Sequence, residues 1–340
     1  MKTIRTEDAV GHVLCHDLTQ IIPGEYKDAR FRKGHIVTEE DIPVLLSMGK
    51  ENLFVWEKTP GMLHENEAAE RLADLCGTEH FVRSAVKEGK IELTADCDGL
   101  LKVDTARLKA VNGAGEVMIA SRHGNTPVKK GDKVLGTRVI PLVIAEDKLK
   151  KAEQAAGDQP LFRLMPYRLH RAAIAVTGNE VEKGLIEDKF SPVVQNKLAE
   201  YGMETVGVRR VGDDPARLTQ AILDFIEQGA ELVVCTGGMS VDPDDKTPLG
   251  IKNTGADIVS YGAPVLPGAM FLLSYYGENR VPVCGLPGCV MYAKRTIFDL
   301  VLPRLAACDP VTADDLAALG EGGLCLNCPV CTYPNCGFGK

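Results

Sequence analysis

From residue 170 onward, short and wholly apolar runs alternate with segments of helical periodicity. "RAAIAVTG", "ELVVCTGG" and "VPVCGLPG" read as buried strands that each run into a glycine turn, and "ETVGVRRV" reads as a fourth strand. Between them, "SPVVQNKLAEYG" has the punctuation of a helix: Ser191 at the cap, Pro192 in the first turn and Gly202 past the end. "DDPARLTQAILDFIEQGA" repeats the design, with Asp214 as cap, Pro215 first, and Leu218, Ile222, Phe225 and Ile226 on one face. "VMYAKRTIFDLVLPRL" predicts a last helix. Strand–helix alternation of this kind predicts an α/β sheet, mostly parallel, with helices on both faces and ligands at the carboxyl ends of the strands.

The first half of the chain has a different rhythm. "FRKGHIVTEEDIPVLLSMGKENLFVW" predicts strand, helix, strand, with Thr38 and Asp41 forming a weak capping box and Gly49 ending the helix. Ala68, Ala69, Leu72 and Leu75 predict a helix over 65–75. "KIELTADCDGLLKV", "GEVMIASRHG" and "GTRVIPLVIA" alternate with glycine, asparagine and lysine turns, which predicts a β-rich small barrel or sandwich over 86–146. "AEDKLKKAEQAAGDQP" then reads as a charged helix that breaks at Gly157 and Pro160. The expected domains are a mixed α/β region over 1–85, the β-rich region, an α/β domain over 168–307 and a Cys-rich tail over 320–340.

Composition narrows the class. The 340 residues are 45% apolar and 25% charged, which is ordinary for a globular chain of two or three domains, at about 150 residues each. The formal net charge is −8, and no run of lysine and arginine exceeds a pair, so no nucleic-acid partner is expected. The N-terminus lacks the apolar core of a signal peptide, and no apolar run approaches the ~20 residues of a membrane span. A cytoplasmic location without a membrane partner is expected.

The candidate chemistry sits at the strand ends. Thr177-Gly178-Asn179-Glu180, Thr236-Gly237-Gly238 and Leu286-Pro287-Gly288 offer backbone N–H groups that an anion can receive. "CTGGMSVDPDDKTP" places Asp242, Asp244 and Asp245 just beyond the second turn. Carboxylates beside an anion site make sense if a cation lies between them: Asp245, with Asp242 or Asp244, is placed to hold Mg²⁺, bridging to phosphate or oxyanion oxygens. Alternatively the acids form a solvated loop. There is no G-x-x-x-x-G-K-[ST] motif, and Gly113-Ala114-Gly115 lacks the helix and third glycine of a dinucleotide fingerprint.

These pieces occur in a recognisable order. "VTGNEV", "GLIEDKFSP", "RRVGDDPARL", "VVCTGGMSVDPDDKTP" and "LPG" before a helix resemble the molybdopterin-binding domain of the MoeA molybdopterin molybdenumtransferases and the molybdopterin adenylyltransferases, over about 140 residues. The resemblance implies an α/β sandwich that binds molybdopterin and its nucleotide phosphate. It nominates Glu180, Asp188 and Asp245 as catalytic residues. It assigns Thr177, Gly178, Thr236, Gly237, Gly238, Ser240, Pro287 and Gly288 to cofactor binding. It also implies molybdate or tungstate as a partner and a homodimer. Several positions depart from the family pattern. Asn179 stands where T-G-D-E has its acid, Asp242 where a glycine is usual, "PGAM" drops the lysine of P-G-K-P, and "LPGCV" replaces L-P-G-N-P. No S-A-M-D-G-Y-A segment is present. Two functions follow: insertion of molybdenum or tungsten into adenylylated molybdopterin with loss of AMP, or non-catalytic carriage or sensing of molybdopterin or the finished cofactor. A third reading, a redox or scaffold protein, rests on the tail.

That tail, "CLNCPVCTYPNCGFGK", holds Cys325, Cys328, Cys331 and Cys336, four of the chain's 11 cysteines. Even packing of the first three resembles the opening ligands of a ferredoxin-type run, while structural zinc usually takes separated C-x-x-C pairs. An iron–sulfur cluster, Zn²⁺ and free redox-sensitive thiols all remain open. Pro329 and Pro334 stiffen the segment, and Gly320, Gly322 and Gly323 predict a flexible tether before it. The scattered cysteines (15, 76, 97, 235, 284, 289 and 308) are expected to be mostly small buried hydrophobes.

Overall fold

The computed structural model describes residues 2–22, 26–55, 60–240 and 245–340. It divides into two compact units, one of Met1–Asp96, Val103–Arg122 and Gly131–Arg163, the other of Cys97–Lys102, His123–Lys130 and Leu164–Lys340. No helix among the described residues is long and apolar enough to cross a membrane.

In the first unit, strands Lys2–Arg5 and Asn52–Val55 pair antiparallel, and Leu18–Ile22 pairs with Tyr26–Phe31. Leu14, Leu18, Phe31, Val37, Leu45 and Leu53 form their shared core. The helix expected from Thr38 begins later, at Asp41. Thr38 and Asp41 do bond, but the Thr38 hydroxyl donates to the Asp41 carboxylate and so makes a turn ahead of the helix, not a cap. The helix over Glu65–Asp74 starts with a capping box made by His64 and Glu67. Strands Phe81–Arg83, Lys90–Ala95, Lys133–Val139 and Val117–Ser121 build a four-stranded antiparallel sheet.

The segment 86–146 does not close into a single barrel or sandwich. Gly99–Val103 and Thr126–Val128 leave the four-stranded sheet and join Phe162–Pro166 in a separate sheet. A Cβ at Gly99 would stand 2.5 Å from the Met165 carbonyl oxygen, so only glycine allows that approach. A helix over Thr105–Asn112, capped by Asp104, interrupts the strands.

The second unit carries the strand–helix alternation. Its elements are β1 (Arg171–Thr177), α1 (Asn179–Glu182), α2 (Phe190–Ala199), β2 (Glu204–Val211), α3 (Pro215–Glu227), β3 (Leu232–Thr236), α4 (Thr247–Lys252), β4 (Asp257–Tyr261), β5 (Leu272–Tyr276), β6 (Val281–Leu286), α5 (Ile297–Ala306) and α6 (Ala313–Ala318). The sheet order is β2-β1-β3-β6-β5-β4. The first four strands are parallel, and β5 and β4 are antiparallel additions at one edge.

Period-2 alternation divides the central strands between two cores. Ala172, Ile174, Val176, Leu232 and Val234 face Val194 and Leu198 of α2 and Phe298 and Leu302 of α5. Ala173, Ala175, Val233 and Cys235 face Leu218, Ile222 and Phe225 of α3. Both faces are therefore covered, as continuous apolar strands require. α3 starts as expected, with Asp214 accepting the Ala216 N–H and Pro215 in the first turn. α2 starts one residue earlier than Ser191, and the last helix starts at Ile297 rather than near 290. There Thr296 and Asp299 form a capping box, and Gly288–Met291 is a separate short 3-10 turn.

Candidate functional site at the carboxyl edge of the sheet

Parallel strands β1, β3 and β6 end together, so the turns after Thr177, Thr236 and Leu286 open on one edge of the sheet. The first two meet directly. Gly237 has φ +85, and a Cβ there would lie 2.5 Å from the Thr177 carbonyl oxygen and 2.7 Å from its hydroxyl. Gly238 has φ +52, and its Cβ would lie 2.9 Å from the Thr247 hydroxyl. These glycines let the turn close against the end of β1, in a conformation that side chains adopt at a cost. The Thr177 hydroxyl donates to the Thr236 carbonyl at 3.1 Å and bonds the Thr247 hydroxyl at 3.0 Å. Thr247 N–H donates to the Gly238 carbonyl at 3.2 Å. Beneath them the buried Thr236 hydroxyl has no partner among the described residues.

After β1, Gly178 takes φ +126, and a Cβ there would run into the Glu180 carboxylate. Asn179 N–H donates to Asp213 at 3.1 Å, and Asp213 N–H donates back to the Asn179 side-chain oxygen at 3.3 Å. This reciprocal pair ties the turn after β1 to the turn after β2.

These turns surround a cavity of about 880 Å³. Thr177, Gly178, Glu180, Gly237, Gly238 and Asp245 line it, all of them nominated from the sequence. Its walls also include Glu187, Lys189 and Asp213, with Val181, Ile186, Phe190 and Met291 as the apolar part. Among the described residues, four carboxylates thus line it with one lysine. Neither Glu187 nor Lys189 is marked by residue type or spacing; only the parallel topology, which sends every β-to-α loop to this edge, points to them. Asp245 also acts on Tyr261, whose hydroxyl is raised above its ordinary pKa first by burial and then by the Asp245 charge. That hydroxyl donates to the Met239 carbonyl at 3.0 Å.

Other nominated residues lie elsewhere. Ser240 and Gly288 are exposed and, like Pro287, stand outside the cavity wall. Asp242 lies outside the described residues. Asp188 is almost fully buried, with 2% of its side chain exposed. It accepts from the Phe190 and Ser191 N–H groups at 3.0 Å each and from the Ser191 hydroxyl at 2.6 Å. Asp188, not Ser191, therefore satisfies the first turn of α2. Burial alone would raise its pKa, but the bonds from Ser191 and Phe190 and the nearby Arg210 outweigh burial and lower it. These bonds hold the loop that carries Glu187 and Lys189 to the start of α2.

Mg²⁺ fits the donor set, since all the anionic side chains offer hard oxygen ligands. Among the described residues no three metal-ligating side chains converge in this cavity.

Residues 173–307 match the family described as "Probable molybdopterin binding domain", and residues 3–57 match a domain of unknown function (DUF8806). A molybdopterin molybdenumtransferase from Synechococcus elongatus is 24% identical over 197 residues, which span 55% of this chain and 47% of that protein. A CinA-like protein from Mycobacterium tuberculosis is 36% identical over 77 residues, which span 23% of this chain and 18% of that protein. Among solved structures, the protein CinA from Thermoplasma acidophilum overlays with TM-score 0.35 at 19% identity, over 40% of this chain and 98% of that one. The tungsten cofactor synthesizing protein MoaB from Pyrococcus furiosus overlays with TM-score 0.32 at 24% identity, over 41% and 89%. The chain spans about half the length of the molybdenumtransferase and under a fifth of the CinA-like protein. Residues 173–307 thus match the molybdopterin-binding domain, and over that part the chain is similar to a molybdopterin molybdenumtransferase as a divergent relative.

Proposed function

We propose that this chain acts in molybdenum cofactor biosynthesis as a molybdenumtransferase-like transferase, with the cavity at the sheet edge receiving a molybdopterin nucleotide. The observation that carries this reading is the convergence, among the described residues, of two left-handed glycine turns, four carboxylates and one lysine on one cavity. Backbone N–H groups at Gly237 and Gly238, which line the cavity, receive the phosphate. The carboxylates would repel that phosphate unless a hard cation stands between them, and Asp245 is the residue to hold it. Bound there, Mg²⁺ supplies charge neutralisation where the phosphoanhydride breaks and AMP leaves. Glu180 and Asp213 flank the opening, and Lys189 offers positive charge to molybdate or tungstate.

A second reading, a non-catalytic carrier or sensor of molybdopterin, is favoured by one specific feature. Ala269 stands where the family pattern has lysine, and its carbonyl accepts from Ala263 N–H at 2.9 Å, so the segment serves packing. One experiment separates the two. The purified chain is incubated with adenylylated molybdopterin, molybdate and Mg²⁺, and AMP release is followed. Turnover that falls at least tenfold in Asp245→Asn, with an unchanged melting temperature, supports the transferase. Tight binding without AMP release supports the carrier, and an Asp245→Asn variant that keeps the full Mg²⁺ effect removes the cation from both readings.

A further inference from the structure

The cavity at the sheet edge makes no use of the C-terminal C-x-x-C-x-x-C-x-x-x-x-C segment. Residues 325–340 contain no helix or strand, yet they are docked firmly. The glycines before them do not form a loose tether: a Cβ at Gly323 would lie 2.3 Å from the Leu319 carbonyl and 2.6 Å from that of Pro264. Leu324 bridges to Leu266, and Cys325 N–H donates to the Leu266 carbonyl at 2.8 Å. Tyr333 donates its hydroxyl to the Asp299 carbonyl at 2.6 Å, with the Arg295 guanidinium 4.9 Å over its ring. Phe338 is only 5% exposed and belongs to the core beside α5.

These anchors hold an irregular loop around a pocket of about 250 Å³ whose lining includes all four cysteines. Lys294 and Arg295 line the same pocket. Lys294 donates to the carbonyls of Cys328 and Pro329 at 2.8 Å each, so its charge is fixed at the loop. The backbone N–H groups of Asn327, Cys328, Val330, Cys331 and Thr332 make no hydrogen bond among the described residues and are free to donate to sulfur.

We propose that Cys325, Cys328, Cys331 and Cys336 bind an iron–sulfur cluster at this pocket. Four cysteine sulfurs on one pocket are a metal-binding set, and Lys294, held at the loop, offsets the negative charge of a cluster bound there, while Arg295 is paired with Glu200 and Asp299. Spacing chooses the metal: the first three cysteines have the C-x-x-C-x-x-C spacing of ferredoxin-type runs, whereas structural zinc usually takes separated C-x-x-C pairs. Cys328 and Cys331 are exposed, which puts the cluster at the surface of the unit, where a redox partner or oxygen reaches it.

The full-length chain is purified anaerobically, reconstituted with ferrous iron and sulfide, and analysed for iron, acid-labile sulfide and zinc. Iron and labile sulfide in matching amounts are expected, with broad visible absorbance that reductant bleaches. The double variant Cys328→Ser/Cys331→Ser, altered only at exposed positions, should lose both while its circular dichroism stays unchanged. Cys308→Ser, an exposed cysteine outside the segment, should keep them. Zinc at one per chain without labile sulfide overturns the proposal, as does the absence of both metals from the reconstituted chain. A cluster that survives in the double variant overturns it too, because the ligands would then lie elsewhere.

Discussion

At the scale of single residues, the site separates glycines that shape the fold from those that do not. Gly237 combines a left-handed backbone with a 2.5 Å approach to the Thr177 carbonyl. Gly237→Ala should therefore cost about 1–3 kcal/mol in denaturant unfolding and also displace the phosphate turn. Gly288 has open space around its Cβ position, so Gly288→Ala should leave stability within about 0.5 kcal/mol of the parent. Equal losses for the two variants would show that the close approach at Gly237 is not what holds the turn. Asp188 carries the second residue-scale prediction. Asp188→Ala leaves two N–H groups and the Ser191 hydroxyl unpaired at the start of α2, and should lose about 1–2 kcal/mol of stability, the typical worth of a cap. Asp188→Asn, which can still accept, should recover most of it. A directly catalytic Asp188 would instead lose turnover in Asn as fully as in Ala. The sequence makes Thr177, Gly178, Glu180 and the Gly237-Gly238 turn legible because glycine after an apolar run has few other uses. Ser240 and Gly288, nominated by the same motifs, stand outside the cavity wall, because a motif does not say which way a turn faces. It hides Glu187, Lys189 and Phe190, whose role comes only from the loop that Asp188 pins.

At the scale of elements, local rules decide most outcomes and tertiary packing decides the exceptions. α3 is legible from end to end because cap, proline and apolar face agree. The last helix is not. Residues 290–296 are continuous with it in hydrophobic pattern, yet the Thr296–Asp299 box restarts the helix, and Asp299 also pairs with buried Lys197 at 2.6 Å. The helix over Thr105–Asn112 escapes notice for the opposite reason: it buries little beyond Val111, so it carries almost no apolar stripe. α6 offers a test by pH. Asp315 accepts from the Thr312 N–H and hydroxyl and pairs with Arg304 at 3.1 Å. Burial opposes its charge, but Arg304 and Thr312 prevail and draw its pKa from 3.8 to about 2. Because the folded pKa lies below the unfolded one, its contribution is complete above the unfolded value and is lost as pH falls from about 4 toward about 2. Asp315→Asn should accordingly lower stability at neutral pH, and its difference from the parent should shrink as acid is added across that window. A difference that stays constant down to the lower limit would show that the charge of Asp315 contributes nothing.

At the scale of the whole molecule, the alternation of strands and helices over 168–307 is legible, but the compact unit built on it is wider. Residues Cys97–Lys102 and His123–Lys130 cross into it from the β-rich region, and everything after Leu164 belongs to it. Nothing in the strand periodicity of 86–146 announces that two short strands leave their sheet. The antiparallel strands β4 and β5 are likewise hard to read, since glycine and proline turns break up the segment around them. The C-terminal residues contribute to stability as well, because Val311, Leu316 and Phe338 belong to the core that includes β5 and α5. Each fully buried side chain of this size contributes about 1.5–3 kcal/mol. Three together approach the total stability of an ordinary domain, about 5–15 kcal/mol. A chain that stops after residue 307 should therefore fail to unfold cooperatively or aggregate on expression. Phe338→Ala in the full-length chain, which leaves every cysteine in place, should lower stability by about 3–5 kcal/mol. Denaturant unfolding followed by far-ultraviolet circular dichroism checks both. If the truncated chain keeps the parent's midpoint, the tail is an appendage to a domain that is complete without it. If truncation is disruptive and Phe338→Ala is mild, the tail holds the core through Val311 and α6, and the cysteine loop is built on top of that support.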